Sequence, residues 1–371
     1  MFERANALEA EGREILHLEL GRPEWRSAPG AVDAARAALE EGDVHYIANR
    51  GLSELRAELA GGLEAQLGRT FDPETELIVT VGASEAIAAT MLALLGPGDE
   101  AIVLEPTWNH YAAAIMLAGA VPVTVPLSAG DGFLIDPDRI AASVTPRTRL
   151  LVLNTPGNPT GAVQPAERLA GLAELALSRG ITVLSDEIYR DFVYEGEHIS
   201  PVGFMSDSEL WVYVNGFSKS YGMTGWRIGY VASAAPVSAD VNRVHQYLTV
   251  CGAPFAQRGA LAALRDPERG RYLAELRTEF ARRRQVWVEA LAGCPAVELV
   301  MPSGAFYLFP RISHSRVRGA DVAAVMLEEH GIAVVAGGVF GTDFDDHVRI
   351  SYGGGIETQR RAAARFREVL V

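Results

Sequence analysis

A single lysine stands in a loop whose composition suits covalent chemistry. Lys219 is the only lysine among the 33 lysine and arginine residues of the chain, and serine, glycine and aromatic residues surround it. Arginine can replace lysine wherever a solvated charge suffices, but a guanidinium group stays protonated and cannot attack a carbonyl carbon. One lysine could have been retained by chance, yet its position favours a role as a nucleophilic amine.

The same loop contains groups that could bind a phosphate. Ser218 offers a hydroxyl, and Arg227 offers a guanidinium that can hold two phosphate oxygens. Four glycines between positions 216 and 229 allow the backbone to approach a ligand closely. A primary amine beside a phosphate-binding group meets two requirements of pyridoxal 5′-phosphate (PLP).

An acidic residue and a tyrosine follow a predicted strand at 181–184. Because ligands collect at the carboxyl ends of parallel strands, Asp186 could meet the pyridine nitrogen of PLP and keep it protonated. Tyr189 could donate a hydrogen bond to the phenolate oxygen of the same ring. Two alternatives stay open at this point, since Asp186 could be a helix N-cap and Tyr189 a core aromatic residue.

Three further segments follow predicted strands and carry suitable groups. The turn at 154–161, rich in Pro, Gly and Asn, could present the amide of Asn158 to the phenolate oxygen. Ala83 and Ser84 begin a predicted helix, where backbone N–H groups could bind a phosphate, and Trp108 could stack on a planar ring. Each also has a simpler interpretation, as a surface loop, a helix cap and a core tryptophan respectively.

Alternating strand and helix patterns must position these groups. Short apolar runs that alternate with helical patterns predict a mainly parallel sheet with helices on both faces. After about residue 240 the pattern changes to long helices and then a short strand-rich tail, which predicts a smaller α+β domain. We therefore expect a large PLP-binding domain over 43–240 and a small domain formed by 1–42 and 241–371.

Composition narrows the possible partners and location. The net charge of −14 argues against nucleic acid or an anionic membrane as the main partner. No apolar stretch is long enough to span a bilayer, and no signal peptide is recognisable at the N-terminus. Cys251 and Cys294 lack metal-ligand spacing, so we expect no metal site and a cytoplasmic protein.

Taken together, these segments carry a family resemblance. The segments at 82–84, 154–161, 185–189, 218–219 and 225–229 resemble the motif series of the class I/II aminotransferases, the aspartate aminotransferase superfamily of fold type I PLP enzymes. The resemblance runs from about Gly21 to Tyr352. It implies the fold type I architecture, in which helices sandwich the mainly parallel sheet of the large domain and a smaller α+β domain is attached.

The resemblance also implies roles for individual residues. Lys219 would form the Schiff base, Asp186 would pair with the pyridine nitrogen and Tyr189 with the phenolate oxygen; these three are the expected catalytic residues. Tyr46 resembles the tyrosine that reaches the phosphate of the neighbouring subunit, which implies a homodimer. The expected cofactor-binding residues are Ala83, Ser84, Trp108, Asn158, Asp186, Tyr189, Ser218, Lys219, Arg227 and Tyr46. The expected substrate-binding residues are Gly21, Asn158 and Arg349, of which Arg349 would hold the α-carboxylate.

The implied activity is transfer of an amino group between an amino acid and a 2-oxo acid by a ping-pong mechanism. Alternatives on the same fold are a β-eliminating lyase, a decarboxylase and, more remotely, a non-catalytic PLP-binding sensor. Aspartate aminotransferases often have a histidine three residues after the stacking tryptophan, but His110 follows Trp108 by two. A second arginine for a distal carboxylate is not evident, and we hypothesise that Arg22 and Trp25 contact the substrate side chain.

Overall fold

The computed structural model describes residues 1–313 and 320–370, and helices alternate with strands through most of them. The α-helices are α1 (Phe2–Ala10), α2 (Ala31–Glu40), α3 (Ser53–Leu67), α4 (Gly82–Leu94), α5 (His110–Leu117), α6 (Pro137–Ala142), α7 (Ala166–Arg179), α8 (Ala235–Thr249), α9 (Pro254–Arg265), α10 (Arg269–Leu291), α11 (Ala320–Glu328) and α12 (Ile356–Leu370). The β-strands are β1 (Leu16–His17), β2 (Leu77–Thr80), β3 (Glu100–Glu105), β4 (Val121–Pro126), β5 (Thr148–Asn154), β6 (Thr182–Asp186), β7 (Trp211–Gly216), β8 (Gly229–Ser233), β9 (Val297–Glu298), β10 (Tyr307–Leu308), β11 (Arg311–Ile312), β12 (Ile332–Ala333), β13 (Val335–Ala336) and β14 (Val348–Ser351).

The main sheet has seven strands within the described part of the chain, in the order β2-β8-β7-β6-β5-β3-β4. Neighbouring strands from β7 to β4 pair in parallel, whereas β8 runs antiparallel to both β7 and β2. The predicted mainly parallel sheet is therefore confirmed. The single reversed strand follows from the Lys219 loop, which turns the chain directly from β7 back into β8.

Strand residues are apolar on both faces because helices cover both sides of this sheet. On β3, Ile102 and Leu104 belong to one buried cluster, while Ala101 and Val103 belong to the cluster on the opposite face. This is the alternation of side chains along a strand. A sheet covered on both faces needs continuous apolar runs rather than alternating ones, which is why these strands are easily recognised in the sequence.

Short sheets and long helices form a second buried cluster. Strand β1 pairs in parallel with β12, so the N-terminal strand has its sheet partner near the C-terminus. Helix α10 packs on α12, with Trp287 and Phe366 in edge-to-face contact between them. Helix α2, in contrast, packs on α9, and its Ala31 belongs to a cluster of the main sheet. The division into 43–240 and the two flanking segments stays a prediction.

The segments that carry the predicted site residues all meet at one edge of the main sheet. Asp186 is the last residue of β6, and its backbone lies between Asn154 of β5 and Val214 of β7. Lys219 follows β7, and the turn with Ala83 opens α4 directly after β2. Within residues 1–313 and 320–370, no helix is long and apolar enough to cross a membrane.

Candidate active site

A cavity of about 290 Å³ lies where the sheet edge meets the second cluster. Its walls come from strand ends, from the start of α4, from the N-terminal segment and from β14. The lining residues are Gly21, Ala83, Ser84, Trp108, Tyr111, Asn154, Asn158, Asp186, Ile188, Tyr189, Ser218, Lys219, Arg227, Tyr307 and Arg349. The structure thus brings together all the expected catalytic, cofactor-binding and substrate-binding residues except Tyr46, which is 85% exposed and lies outside this cavity.

The amine of Lys219 is placed where it can lose its proton. Its Nζ donates a hydrogen bond to the carbonyl oxygen of Gly21 at 2.6 Å. Burial lowers the pKa of Lys219 to about 8, and the positive charges of Arg349 and Arg227 act in the same direction. Because burial and the two guanidinium charges all disfavour the ammonium form, a usable fraction of this lysine is a neutral nucleophile near neutral pH.

The carboxyl group of Asp186 is buried and held in one position. Its Oδ2 accepts a hydrogen bond from the hydroxyl of Tyr111 at 2.6 Å, and its Oδ1 accepts one from the backbone N–H of Ile188 at 3.1 Å. Burial raises the pKa of Asp186 to about 6, against the opposing effect of these two bonds. A carboxylate of this basicity is suited to share a proton with a ring nitrogen.

Tyr111 was not among the predicted site residues. It is three residues after Trp108, at the position where aspartate aminotransferases often have a histidine, and its hydroxyl donates the hydrogen bond to Asp186. His110, two residues after Trp108, instead stacks on the tryptophan, with ring centroids 3.9 Å apart and planes 14° apart. The spacing from Trp108 could therefore have identified Tyr111, because a phenol at this position donates to Asp186 in place of a histidine.

Two tyrosine hydroxyls meet at another wall of the cavity. The hydroxyls of Tyr189 and Tyr307 are 2.8 Å apart, and burial raises the pKa of both phenols, so both are neutral. Tyr307 was also missed by the sequence analysis, because it belongs to a short buried strand with no local motif. A Cβ at Gly21 would collide with the hydroxyl of Tyr307, so this position of the N-terminal segment requires glycine.

Arg349 projects from β14 into the cavity and is buried. Its Nη1 donates to Oδ1 of Asn158 at 3.3 Å, and its Nη2 donates to the carbonyl oxygen of Glu19. The guanidinium lies over the rings of Tyr307 and Phe340, 4.8 and 5.0 Å from their centroids. Its Nε is buried and has no hydrogen-bond partner among the described residues. A buried guanidinium with a free N–H has the geometry to bind an incoming carboxylate.

Asn158 is positioned by its own turn. Its backbone N–H donates to Oδ1 of Asn154 at 2.8 Å, while Nδ2 of Asn154 donates to the carbonyl oxygen of Asp186 at 3.0 Å. The turn after β5 is therefore tied to the end of β6. This link fixes the amide of Asn158 relative to Asp186, and Asn154 is a lining residue that the sequence analysis did not assign.

The opposite end of the cavity suits an anion. The Nη1 of Arg227 donates to the carbonyl oxygen of Thr224 at 3.0 Å and lies 3.5 Å from Oγ of Ser218. A Cβ at Gly82 would collide with the guanidinium of Arg227, so glycine at the start of α4 lets the two approach. The first N–H groups of α4, at Ala83 and Ser84, are adjacent to this cation. A guanidinium, hydroxyls and helix N–H groups in one place fit a phosphate.

Of the remaining predicted residues, Trp108 lines the cavity, whereas Arg22 and Trp25 do not. Trp108 is half-buried and lines the cavity, with its ring edge-on to Tyr111 at 5.7 Å. Arg22 and Trp25 do not line the cavity, although both follow Gly21; Trp25 packs 6.2 Å from the ring of Tyr272. An amine, a buried carboxylate and an anion site around one cavity are the groups that PLP requires, so the residues present fit this cofactor.

Comparison with known proteins agrees with this arrangement. A family model described as "Aminotransferase class I and II" matches residues 14–366. Among curated proteins, an aspartate/prephenate aminotransferase of Thermus thermophilus is 39% identical over 99% of this chain and 94% of its own length. Aromatic-amino-acid aminotransferase 2 of Thermococcus litoralis is 35% identical over 100% of this chain and 94% of its own length. Among solved structures, aspartate aminotransferase from Thermus thermophilus with maleate superposes with a TM-score of 0.94 at 39% identity, over 99% of this chain and 95% of that one.

Proposed function

Since the chain belongs to the class I and II aminotransferases and is a PLP-dependent enzyme that moves an amino group between an amino acid and a 2-oxo acid, we propose that Lys219 is its catalytic amine. Bound PLP supplies an electron-accepting ring that is conjugated to the amino group of the substrate. The observation that carries the proposal is the position of the Lys219 amine. It lies in one cavity with a buried carboxylate and two guanidinium groups, and its pKa is about 8.

Lys219 and Arg349 would act on the substrate. Arg349 binds the α-carboxylate, and its unpartnered buried Nε supports this role because a carboxylate oxygen can accept that N–H. A carboxylate held there is fixed relative to Lys219, since both residues line the same cavity. With a pKa of about 8, the amine could accept the proton of the substrate Cα and donate it to the cofactor carbon that keeps the amino group, which is general acid–base catalysis.

Four side chains would hold the cofactor ring. Asp186 keeps the ring nitrogen protonated, and its bonds from Tyr111 and Ile188 hold the carboxylate still for this purpose. Tyr189 and Asn158 donate to the phenolate oxygen, and Trp108 contributes the stacking face. The support for this assignment is that all of these side chains line one cavity.

Arg227, Ser218 and the start of α4, with Ala83 and Ser84, would bind the phosphate. The test is a comparison of PLP with pyridoxal, which lacks the phosphate. Arg227→Gln should raise the Kd of PLP about a hundredfold while the Kd of pyridoxal changes little, because only PLP uses the lost cation. Arg179→Gln, at the exposed end of α7, is the matched control. Equal losses for both ligands would contradict the assignment.

We also propose a homodimer in which Tyr46 reaches the neighbouring site. Tyr46 and Tyr247 are 85% and 84% exposed, and their segments touch, because Nδ2 of Asn49 donates to the carbonyl oxygen of Val250 at 2.6 Å. Val44, Leu248 and Val250 are exposed beside them. Exposed apolar side chains in such a group are typical of an interface. A cytoplasmic location is part of the same proposal, and the two unpaired cysteines support it.

Mixed dimers test the role of Tyr46. Lys219→Ala and Tyr46→Phe chains are refolded together, and the activity of the mixture is compared with the sum of the separate variants. If Tyr46 acts across the interface, the mixed dimer contains one site with both native residues, and activity rises above that sum. If Tyr46 serves its own subunit, every site stays defective and no gain appears.

An absorbance spectrum tests the central proposal. Purified protein with PLP should show a visible cofactor band that is absent in Lys219→Ala. Adding single amino acids without a 2-oxo acid should convert the band to that of the amine form of the cofactor, with one equivalent of 2-oxo acid released. An unchanged band in Lys219→Ala would contradict the role of Lys219. The amino acids that convert the band of the wild-type protein are its amino-group donors.

A further inference from the structure

A second buried carboxyl group stands directly behind Asp186. Side chains alternate along β6, so Asp186 faces Tyr111 on one side of the sheet, while Ser185 and Glu187 face the other side. Glu187 is 0% exposed, although it is next to the end of a strand. It does not line the cavity, and the proposed function gives it no role.

Three donors hold this carboxylate. Glu187 accepts hydrogen bonds from the hydroxyl of Ser185 at 2.9 Å, from the hydroxyl of Ser200, and from Nε2 of His198 at 2.6 Å. Its backbone N–H also donates to Val214 of β7 at 2.9 Å. Both the backbone and the side chain of Glu187 are therefore fixed, and they fix the peptide that follows Asp186.

The donors around Glu187 match a carboxylate that only accepts hydrogen bonds. The Nδ1 of His198 is buried and has no partner among the described residues. A neutral imidazole with its proton on Nε2 leaves only an acceptor unpaired there, whereas an imidazolium would leave a buried charged N–H without a partner. Besides Asp186, Arg190 is a charged group that interacts with Glu187, and its Nη1 donates to the hydroxyl of Tyr213 at 3.3 Å.

We infer that Glu187 is a positioning residue for Asp186, and that its negative charge strengthens the hold of Asp186 on a proton at the cofactor ring nitrogen. This inference rests on the proposed function of Asp186. Burial contributes most to the raised pKa of Asp186, and the charge of Glu187 raises it further. A negative charge behind Asp186 favours protonation of the ring nitrogen. The protonated ring is the form of the cofactor that accepts electrons well.

The test uses Glu187→Gln, which keeps the shape of the side chain and removes the charge. Two quantities are measured: the Kd of PLP for the cofactor-free protein, and the pH midpoint at which the Lys219-linked cofactor changes its absorbance. We expect the Kd of PLP to rise about tenfold, because the variant loses a negative charge that favours the protonated ring nitrogen. The midpoint should fall by about half a unit, because removing a negative charge makes nearby cationic groups lose their protons more easily.

Glu100→Gln is the matched control. Glu100 is also a buried glutamate held by neighbouring side chains, Thr145 and Arg147, but it lies at the amino end of β3, away from the cavity. It should lower the melting temperature and leave both cofactor quantities unchanged. Ser200→Ala removes one donor and keeps the charge of Glu187, so it should raise the Kd about threefold without lowering the midpoint.

The possible results separate the inference from the proposed function. If wild-type protein forms no Lys219-dependent band, the proposed function fails, and this inference fails with it. If the wild-type band forms and Glu187→Gln leaves both the Kd and the midpoint unchanged, the inference alone is overturned. Equal cofactor effects in Glu100→Gln and Glu187→Gln would also overturn it, because they would show only a general loss of stability. If Glu187→Gln does not fold, an unchanged Kd in Ser200→Ala overturns it.

Discussion

The two walls of the active-site cavity are built differently. On the wall formed by the main sheet, Asp186 has a donor for each carboxylate oxygen, and the neighbouring strands fix its backbone. On the other wall, the buried Nε of Arg349 has no partner among the described residues, and the guanidinium donates to the carbonyl oxygen of Glu19 in the N-terminal segment and to Oδ1 of Asn158. Under the proposed function, the sheet wall is preorganised for a cofactor that stays bound, whereas the other wall has donors that would bind the substrate.

The N-terminal segment links the two walls. The carbonyl of Glu19 accepts a hydrogen bond from Arg349, and the carbonyl of Gly21 accepts one from Lys219. Two residues of one segment are therefore bonded to side chains of both walls. Neither carbonyl is an ionised partner, and a carboxylate is a stronger acceptor for a guanidinium than a peptide oxygen. Under the proposed function, a substrate carboxylate would replace the peptide oxygen of Glu19 as an acceptor for Arg349.

The largest expected effect comes from removing the amine while keeping the charge. Lys219→Arg should lower kcat by about 10⁴-fold or more, because guanidinium can neither bond to the cofactor nor accept the substrate proton. The measurement is the steady-state rate with an amino acid that converts the cofactor band in the absorbance experiment. Arg179→Lys, the reverse exchange at an exposed helix end, should have no effect. Substantial activity in Lys219→Arg would mean that the base lies elsewhere.

The pH dependence of stability tests the buried carboxylate of the sheet wall, Asp186. Its folded pKa of about 6 exceeds the ordinary value of 3.8, so the folded protein binds this proton more tightly than the unfolded chain does. Stability from this group is therefore present below pH 4 and decreases as the pH rises through 6, by about 3 kcal/mol in total. Relative to Asp186→Asn, the cofactor-free wild type should lose melting temperature between pH 4 and pH 7. If the two proteins give parallel curves of melting temperature against pH, ionisation of buried Asp186 does not destabilise the folded protein, which would contradict the prediction.

Substitution of Arg349 tests whether the other wall recognises the substrate carboxylate. Arg349→Lys should lower kcat/KM about 30-fold, because lysine cannot form the bidentate pair. For an amine that lacks the carboxylate, the same variant should change kcat/KM little. The ratio of the two substrates is the measurement. An equal loss for both would assign Arg349 a structural role instead.

The smallest expected effect concerns Gly21. Gly21→Ala collides with the hydroxyl of Tyr307 and should raise KM about fivefold while leaving the Kd of PLP unchanged. Adding Tyr307→Phe removes the colliding hydroxyl and should restore part of the loss. Gly61→Ala is the control, because a Cβ there meets nothing within 4 Å and the residue lies inside α3. A raised Kd of PLP in Gly21→Ala would show that the two walls are not separable in this way.

Local sequence was sufficient for the elements and for the groups at their ends. Apolar runs such as 150–153 predict strands because both faces of the sheet are covered, and each run ends where a functional side chain begins. Lys219, Asp186 and Asn158 could be identified in this way, since position at a strand end in a parallel sheet already places a residue at the ligand edge. The rarity of lysine in this chain added an independent signal for Lys219.

Only the tertiary structure decided which partners these groups have. Tyr111 and Asp186 are 75 positions apart, Tyr189 and Tyr307 are 118 apart, and no local pattern links either pair. The contact of Glu187 with His198 likewise depends on a segment that returns to the back of the sheet. Sequence periodicity reports which face of an element is buried. Which distant side chain completes a hydrogen bond, and hence which pKa is shifted, depends on packing between elements that the local sequence does not encode.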